Sequence, residues 1–230
     1  MANPPYGLWP CSASGMNSAM NQTQRQLARD LAACARSLFQ RGYCFGTAGN
    51  LSARNGEALV LSPTNSSFED LHEEPFAIVR LDGKHKARPA PSKQAHFHVA
   101  IYEARWEAPA VIHHHSAYTA ALSCLRVAKS ADNLPAYARY SATRITCLPV
   151  APHLPPGHPG LSKRVHNAVH RPPVLLVKNQ GPMAAGRSIR EASAVAEELE
   201  QQAHLYSLLT GRGNPLNQEQ LAALRPKRDA

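Results

Sequence analysis

The chain has 230 residues, which is enough for one domain with a substantial core. Hydrophobic residues make up 43% of it, and no apolar run is long enough to span a membrane, so we expect no membrane partner. The formal net charge of +9 would permit nucleic-acid binding, but the basic residues are scattered and aromatic residues make up only 6%. We therefore expect no nucleic-acid partner. The charge suits a small anionic substrate, with general surface basicity as the alternative.

The sequence has no internal repeats and no obvious linker, which indicates one domain with short terminal extensions. We predict a disordered arm over residues 1–22, a single domain over 23–224 and a basic tail over 225–230. The arm has neither the basic nor the apolar region of a secretory signal. No C-x-x-C pair occurs, and the odd number of cysteines favours reduced thiols and a cytoplasmic location. The five cysteines are Cys11, Cys34, Cys44, Cys124 and Cys147.

The first half of the chain predicts two helices and several strands. Apolar residues at helical spacing (Leu27, Leu31, Cys34 and Leu38) predict an amphipathic helix over 23–40 that Gly42 ends. Strands are predicted over 51–54, 58–61 and 76–81, and an Asp82-Gly83 hairpin turn leads into another over 84–87. A helix over 93–103 follows, with Ser92 as its N-cap.

The second half mixes the two kinds of element as well. We predict helices over 116–125, 161–169 and 188–210, and strands over 145–150 and 174–178. Residues 127–143 are predicted to be an irregular lid or loop and 153–158 a rigid turn, and the strand over 174–178 ends in Asn179-Gln180-Gly181-Pro182. Strict βαβ alternation is absent and a hairpin is present. We therefore predict an α/β fold with three α/β/α layers and a mainly antiparallel central sheet.

Three consecutive histidines follow a short apolar run that reads as a buried strand. In an extended segment, His113 and His115 point to one face and His114 to the other. Two imidazoles on one face can hold one divalent metal ion, which would polarise a carbonyl or activate water. The alternative is a pair of core histidines with backbone partners. We favour the metal site and predict the catalytic centre here.

Three other stretches are suited to binding an anion. Gly46 and Gly49 let backbone N–H groups approach an anion, and Thr47 and Asn50 add side-chain donors. The polar turn over 62–67 follows a strand, and Ser92 with Lys93 begins a helix, where the helix dipole favours negative charge. Each of these features, taken alone, could simply be a tight turn.

Several motifs resemble the class II aldolase/adducin family, and together they span roughly residues 23–224. They are GTAGNLSAR (46–54), SPTNSSF (62–68), PSKQ with FHVAIY (91–102), AVIHHHSAYTAALSCL (110–125), LLVKNQGPMAAGRSIREA (175–192) and EELEQQAHLY (197–206). The PSK, SCL and GPMAAGRS segments are most similar to the branch of 3-oxo-tetronate 4-phosphate decarboxylases.

The resemblance implies a lyase of the aldolase or decarboxylase type that acts on a small phosphorylated sugar or sugar acid through an enediolate. It implies zinc or another divalent ion held by His113, His115 and a third ligand at position 180, with an acid/base residue at position 94. It also implies a homotetramer with sites at subunit interfaces, to which Tyr137, Arg139 and Tyr140 are candidate contributors. The implied phosphate-binding residues are Thr47, Asn50, Thr64, Asn65, Ser92 and Lys93.

Two positions depart from the family pattern, because Gln180 stands at the third ligand and Gln94 at the acid/base residue. A glutamine amide is a poor zinc ligand and cannot carry a proton near neutral pH. Loss of an acid/base group alone costs about 10²–10⁴ in rate, so the resemblance implies weakened or altered activity.

Three hypotheses remain open from the sequence. The first, which we favour, is a working lyase that recruits His96 or His153; His96 would point about 200° away from Gln94 on a helix, which counts against it. In this hypothesis His98 has a core or supporting role. The second is a non-catalytic assembly or ligand-binding protein like the adducin head. The third is chemistry like that of non-haem iron oxygenases, for which no nearby carboxylate completes the ligand set.

Overall fold

The computed structural model describes residues 20–73, 75–85, 88–125, 134–145, 147–152, 161–169 and 173–224. These residues form seven helices and seven strands. The helices are α1 Gln22–Gln40, α2 Ala95–Ala104, α3 Ala117–Cys124, α4 Arg139–Arg144, α5 Leu161–Val169, α6 Ile189–Leu209 and α7 Gln218–Ala223. The strands are β1 Asn50–Asn55, β2 Ala58–Leu61, β3 Ala77–Arg80, β4 Ala110–His113, β5 Val150–Ala151, β6 Val174–Val177 and β7 Gly181–Gly186.

The seven strands form one sheet in the order β3-β2-β1-β4-β7-β6-β5. Only β5 and β6 pair in parallel, and the other five pairings are antiparallel. Strand β4 lies at the centre of the sheet and pairs Asn50 with His113 on one side and His113 with Met183 on the other. The predicted mainly antiparallel α/β fold is confirmed.

Helices cover both faces of the sheet, because alternate strand residues are apolar on both sides. Val111 and Leu175 pack with α2 and α5 on one face. Ile112 packs with α1 on the other, where Leu176 packs with α6. The histidines lie at one end of this central strand, where the two helical layers leave the ends of the strands accessible to loops.

Most predicted elements occur where the sequence placed them. Helix α1 buries Leu31 and Leu38 on one face and ends before Gly42, whose φ is +78°. In α6, the Ser188 hydroxyl accepts from the Glu191 backbone N–H, and Gly211 follows the helix with φ +79°. In the part of the chain described, no helix is long and apolar enough to cross a membrane, and no disulfide joins the cysteines.

Several boundaries were predicted wrongly. The strand predicted over 84–87 is a single bridge between Val79 and His85, with residues 86 and 87 outside the described part. In place of the strand predicted over 145–150 the structure has the two-residue strand β5, and α4 occupies the end of the stretch predicted to be irregular. Strand β7 was not predicted. The predicted turn over 153–158 and nearly all of the N-terminal arm lie outside the described residues.

The predicted N-cap of α2 was also wrong. The helix begins at Ala95, and Gln94 occupies the cap position. The backbone N–H of Ser92 donates to the carbonyl of Ser62 at 3.2 Å, and Pro63 pairs with Pro91 in a bridge. These contacts hold Pro91 and Ser92 against the loop after β2, and residues 93 and 94 form a turn closed by the Ala95 N–H and the Ser92 carbonyl at 3.0 Å, so the helix begins only at Ala95. Gln94 is thereby placed at the helix start.

Candidate active site

His113 and His115 face each other at the end of β4. Their Nε2 atoms are 2.8 Å apart, and their ring planes are inclined at 73°. His113 is fully buried, whereas His115 is partly exposed. The predicted convergence of these two imidazoles is confirmed.

The backbone of β7 fixes the orientation of His113. Its Nδ1 lies 2.8 Å from the carbonyl of Pro182, and because a carbonyl can only accept, Nδ1 carries the proton. Burial lowers the pKa of His113 well below its usual value and also lowers that of His115. His113 is therefore a neutral imidazole with a lone pair on Nε2, on the side of His115. This is the form of histidine that binds a metal ion.

His114 points to the opposite face, as predicted. Its Nδ1 lies 2.8 Å from the hydroxyl of Ser116, and its ring packs edge-on against Tyr43. The Glu200 carboxylate accepts from the Ser116 hydroxyl at 2.6 Å and from the Thr119 backbone N–H at 2.8 Å. This carboxylate accepts hydrogen bonds that the first turn of α3 would otherwise lack, and it so fixes the position of the chain directly after the histidine pair.

The two glutamines that depart from the family pattern are in direct contact. Gln94 Nε2 donates to Gln180 Oε1 at 2.5 Å. Gln94 Oε1 accepts from Asn50 Nδ2 at 2.7 Å, and Asn50 is the cross-strand partner of His113. Gln180 directly precedes β7, whose Pro182 orients His113. The sequence pattern thus brings all four chemically important positions to one end of the sheet.

Behind the glutamines lies a buried polar network that the sequence did not predict in full. His98 Nε2 is 2.5 Å from Asn50 Oδ1, and His98 Nδ1 is 2.7 Å from the Ser52 hydroxyl. The Tyr102 hydroxyl lies 2.9 Å from that of Ser52. The burial of His98 agrees with the core or supporting role predicted for it, whereas Ser52 and Tyr102 were not predicted. Their only signals were a row of alternate polar residues on one face of β1, Asn50, Ser52 and Arg54, and a tyrosine one helical turn after His98.

The loops suggested for anion binding meet beside this network. The Ser92 hydroxyl accepts from the Gln94 backbone N–H at 3.3 Å, and the Thr64 backbone N–H donates to the Ala90 carbonyl at 3.0 Å. Lys93 is exposed, as are Thr47 and Asn65, and Asn65 has a φ of +59°. Asn50 differs from the others because its side chain is already bonded to His98 and Gln94.

Other candidate residues lie elsewhere. His96 is buried next to Phe97, and no protein group bonds its Nε2. Burial lowers the pKa of His96 to about 4, which does not favour its recruitment as a base. Arg139 and Tyr140 are exposed on α4, Tyr137 precedes it, and His153 lies outside the described residues.

The donor set suits a divalent metal in part. In tetrahedral zinc sites two imidazole nitrogens lie roughly 3.3 Å apart, so a small ring rotation would adapt the His113–His115 pair. Within the described ranges no group of three His, Cys, Asp or Glu side chains is arranged to hold a metal ion. The candidate for a third ligand is the Gln180 amide, which precedes Gly181, a residue packed against the backbone of His114 and His115. Two ligands of the right kind and one weaker oxygen ligand fit a metal that is held less tightly than by three histidines.

A sequence profile of the Class II Aldolase and Adducin N-terminal domain matches residues 29–207. This chain belongs to the class II aldolase/adducin family. Among its relatives is the 3-oxo-tetronate 4-phosphate decarboxylase of Pectobacterium atrosepticum, 34% identical over 200 residues that cover 86% of this chain and 91% of the relative. The L-fuculose phosphate aldolase of Escherichia coli is 29% identical over 208 residues, 89% of this chain and 94% of the relative.

The fold comparison agrees with this family assignment. The crystal structure of YgbL from Klebsiella pneumoniae, a protein proposed to be an aldolase, epimerase or decarboxylase, superposes with a TM-score of 0.82 at 32% identity. The match covers 90% of this chain and all of that one. The resemblance predicted from the motifs is confirmed, and the relatives named as decarboxylases support an enzyme of the class II aldolase type.

Proposed function

We propose that this family member is a metal-dependent lyase that decarboxylates a small phosphorylated 3-oxo sugar acid. The observation that carries the proposal is the pairing of His113 and His115, with Gln94 bonded to the cross-strand neighbour of His113 and unable to exchange a proton. The curated relatives named 3-oxo-tetronate 4-phosphate decarboxylase support this substrate class.

The two reactions named among the relatives place different demands on residue 94. In a 3-oxo acid the carboxylate is already ionised, its bond to the neighbouring carbon breaks, and the electron pair moves to the ketone oxygen as CO₂ leaves. The resulting enolate carbon then takes a proton from water. Aldol cleavage instead begins with removal of a hydroxyl proton, which needs a base. Gln94 is compatible with the first reaction and deficient for the second.

The metal would be held by His113 and His115, with the Gln180 amide oxygen as a weaker third ligand. Such an ion acts as a Lewis acid that stabilises negative charge developing on a substrate oxygen. The protein contributes the fixed orientation of His113 through Pro182 and a hydrogen-bond donor on Gln94. Because a neutral amide is a poor zinc ligand, we propose weak metal affinity and reduced activity.

The phosphate group would be bound by the loops beside the glutamines. Lys93 supplies a positive charge, and Ser92 with the exposed start of α2 supplies further donors. Thr47, Thr64 and Asn65 belong to loops that reach the same end of the sheet, and Asn50 has one remaining N–H beyond its bond to Gln94. We further propose a cytoplasmic homotetramer with sites at subunit interfaces, which light scattering would test.

The direct test is to measure CO₂ released from 3-oxo-tetronate 4-phosphate by the zinc-supplemented protein. We expect release that depends on added metal and on Lys93, with little cleavage of L-fuculose 1-phosphate. Lys84→Ala is the control for Lys93→Ala, because Lys84 is also exposed but lies in the β3 turn. Cleavage of the aldol substrate faster than CO₂ release would refute the assignment.

A non-catalytic ligand-binding protein is the second candidate, and one contact favours it. The Gln94–Gln180 bond occupies the Gln180 oxygen and one hydrogen of the Gln94 nitrogen at the place where chemistry is expected. This alternative predicts a protein that stays metal-free on zinc addition and turns over neither substrate. Activity that appears only in the double variant Gln94→Glu with Gln180→His would identify a decayed enzyme.

A further inference from the structure

An unbroken row of hydrogen bonds runs from the core to the candidate active site. It passes from Tyr102 to Ser52, His98, Asn50, Gln94 and Gln180, with successive contacts of 2.9, 2.7, 2.5, 2.7 and 2.5 Å. Tyr102, Ser52 and His98 are fully buried, and Asn50 is 5% exposed. A row of this kind transmits the donor or acceptor character of one member to the next.

The donor and acceptor at each contact of the row are determined by the atoms that can only donate or only accept. Asn50 Oδ1 can only accept, so His98 Nε2 carries the imidazole proton and donates it. His98 Nδ1 is then an acceptor and receives a hydrogen bond from the Ser52 hydroxyl. The Tyr102 hydroxyl in turn donates toward the hydroxyl and the backbone carbonyl of Ser52, at 2.9 and 3.0 Å.

The same sense continues to the site. Asn50 donates through Nδ2 to Gln94 Oε1, which turns the nitrogen of Gln94 toward Gln180. An amide nitrogen has two hydrogens, and the contact with Gln180 uses one of them. The second hydrogen can be donated to a ligand.

The geometry points to His98 as a positioning residue that, through Asn50, holds the carboxamide of Gln94 with its nitrogen toward Gln180. The site thereby presents an N–H donor to an anionic substrate oxygen, where a catalytic carboxylate would present an acceptor. The consequence for substrate rests on the proposed decarboxylation, in which negative charge develops on the ketone oxygen. The orientation itself does not depend on that reaction.

The position of the His98 proton, and not its charge, determines this orientation. Complete burial lowers the pKa of His98 to about 3, so the ring is neutral throughout the working range of pH. A neutral ring has two tautomers. If the proton were on Nδ1, it would be donated to Ser52, and Asn50, Gln94 and Gln180 would all have to reverse. Gln94 would then present its oxygen.

The tautomer of His98 can be measured directly by ¹⁵N NMR of histidine-labelled protein, with the resonances assigned by comparison with His98→Gln. We expect His98 to have a protonated Nε2 and an unprotonated Nδ1, unchanged between pH 6 and 8. A protonated Nδ1 would overturn the proposal. This measurement needs neither substrate nor turnover, so it can fail while the proposed function stands.

Two substitutions test the effect on the reaction. In His98→Gln the side-chain nitrogen can reach the Nε2 position and still donate to Asn50, whereas in His98→Asn it cannot. Since loss of one oriented oxyanion donor costs about 10²–10³ in kcat, we expect His98→Asn to lower kcat by about 10² with KM changed less than about threefold. His98→Gln should restore most of that loss. Equal losses in the two variants at matched thermal stability would overturn the positioning role.

Discussion

At the scale of single residues, Gln94 is the side chain that most constrains the chemistry. It occupies the N-cap position of α2 without a side-chain capping bond, contacts Asn50 and Gln180, and has no group that can titrate. The rate of a decarboxylation that needs no base at bond cleavage should therefore show no ionisation attributable to this position.

Gln94→Glu should add such an ionisation. Because a base works only when deprotonated, aldol cleavage should rise with pH through the pKa of the new carboxyl, and its maximum should exceed the wild-type rate by about 10²–10⁴. Gln94→Met, which has a similar length and no hydrogen-bonding amide, is the control and should gain nothing. An equal gain in both variants would show that residue 94 is not at the reacting group.

The residue-scale predictions from sequence succeeded where a local rule applied. Alternation along an extended strand was enough to pair His113 with His115 and to turn His114 away. The Gln94–Gln180 contact joins residues 86 positions apart, so no local pattern contains it. Ser52 lies two residues after Asn50 and Tyr102 lies two helical turns after Gln94, so periodicity places each on the same face as its neighbour. Only the packing of α2 on β1 shows that these two faces meet.

At the scale of elements, β7 is the strand that was not predicted from the sequence, and it determines much of the geometry of the site. Its residues, GPMAAG, contain two glycines and a proline, which favour a turn by local rules. In the fold these two glycines instead allow other parts of the backbone to approach the strand closely. A Cβ on Gly186 would lie 2.3 Å from the Ala192 backbone nitrogen, so only glycine lets α6 pack closely on the strand.

Gly181 has a similar role at the other end of β7, next to the histidines. A Cβ there would lie 2.5 Å from the His114 carbonyl oxygen, and its φ of +148° is unfavourable for other residues. Gly181→Ala should displace the segment that contains Gln180 and Pro182, lowering zinc affinity at least about tenfold by disturbing the support of His113. It should also lower the melting temperature.

Gly56→Ala provides the control for this prediction. Gly56 has a φ of +60° in the turn between β1 and β2, with open space where a Cβ would lie. It should cost about 1 kcal/mol of stability through the backbone alone and leave zinc affinity unchanged. Equal effects of the two substitutions on zinc affinity would contradict the proposed role of Gly181.

At the scale of the whole molecule, buried neutral histidines should make the fold sensitive to acid. Burial lowers the pKa of His96 and His114 to about 4 and that of His98 to about 3. Below about pH 6.5 the unfolded chain binds protons at these residues and the folded chain does not, so stability falls as pH falls. The loss ends only below the folded-state pKa values.

This linkage predicts a free energy of unfolding that changes little above pH 7 and falls steeply toward pH 4.5. Each buried histidine adds a slope of up to about 1.4 kcal/mol per pH unit, or about 4 kcal/mol per unit for the three. Urea titrations at several pH values would measure this slope. His98→Gln should reduce it by the contribution of one histidine, up to about 1.4 kcal/mol per pH unit. A stability that is constant from pH 7 to pH 5 would contradict this account.

The three-layer arrangement was predictable from sequence because it follows from apolar alternation and helix periodicity distributed over the whole chain. Strand order was not, since β4 pairs with β1 and β7, which lie far from it in sequence. This order is what brings the loops after α1, β2 and β6 together at the end of β4. The site is therefore a property of the assembled sheet.

A zinc titration followed by calorimetry is the most direct test of the claim that the His113–His115 pair is a metal site. We predict that each chain binds one zinc ion. The zinc affinity should be at least about tenfold lower in His115→Asn and at least about tenfold higher in Gln180→His. Lys178→His, which adds an exposed histidine two residues before Gln180, should leave the affinity unchanged. Zinc binding that is absent from the wild-type protein, or that is the same in His115→Asn, would contradict the account.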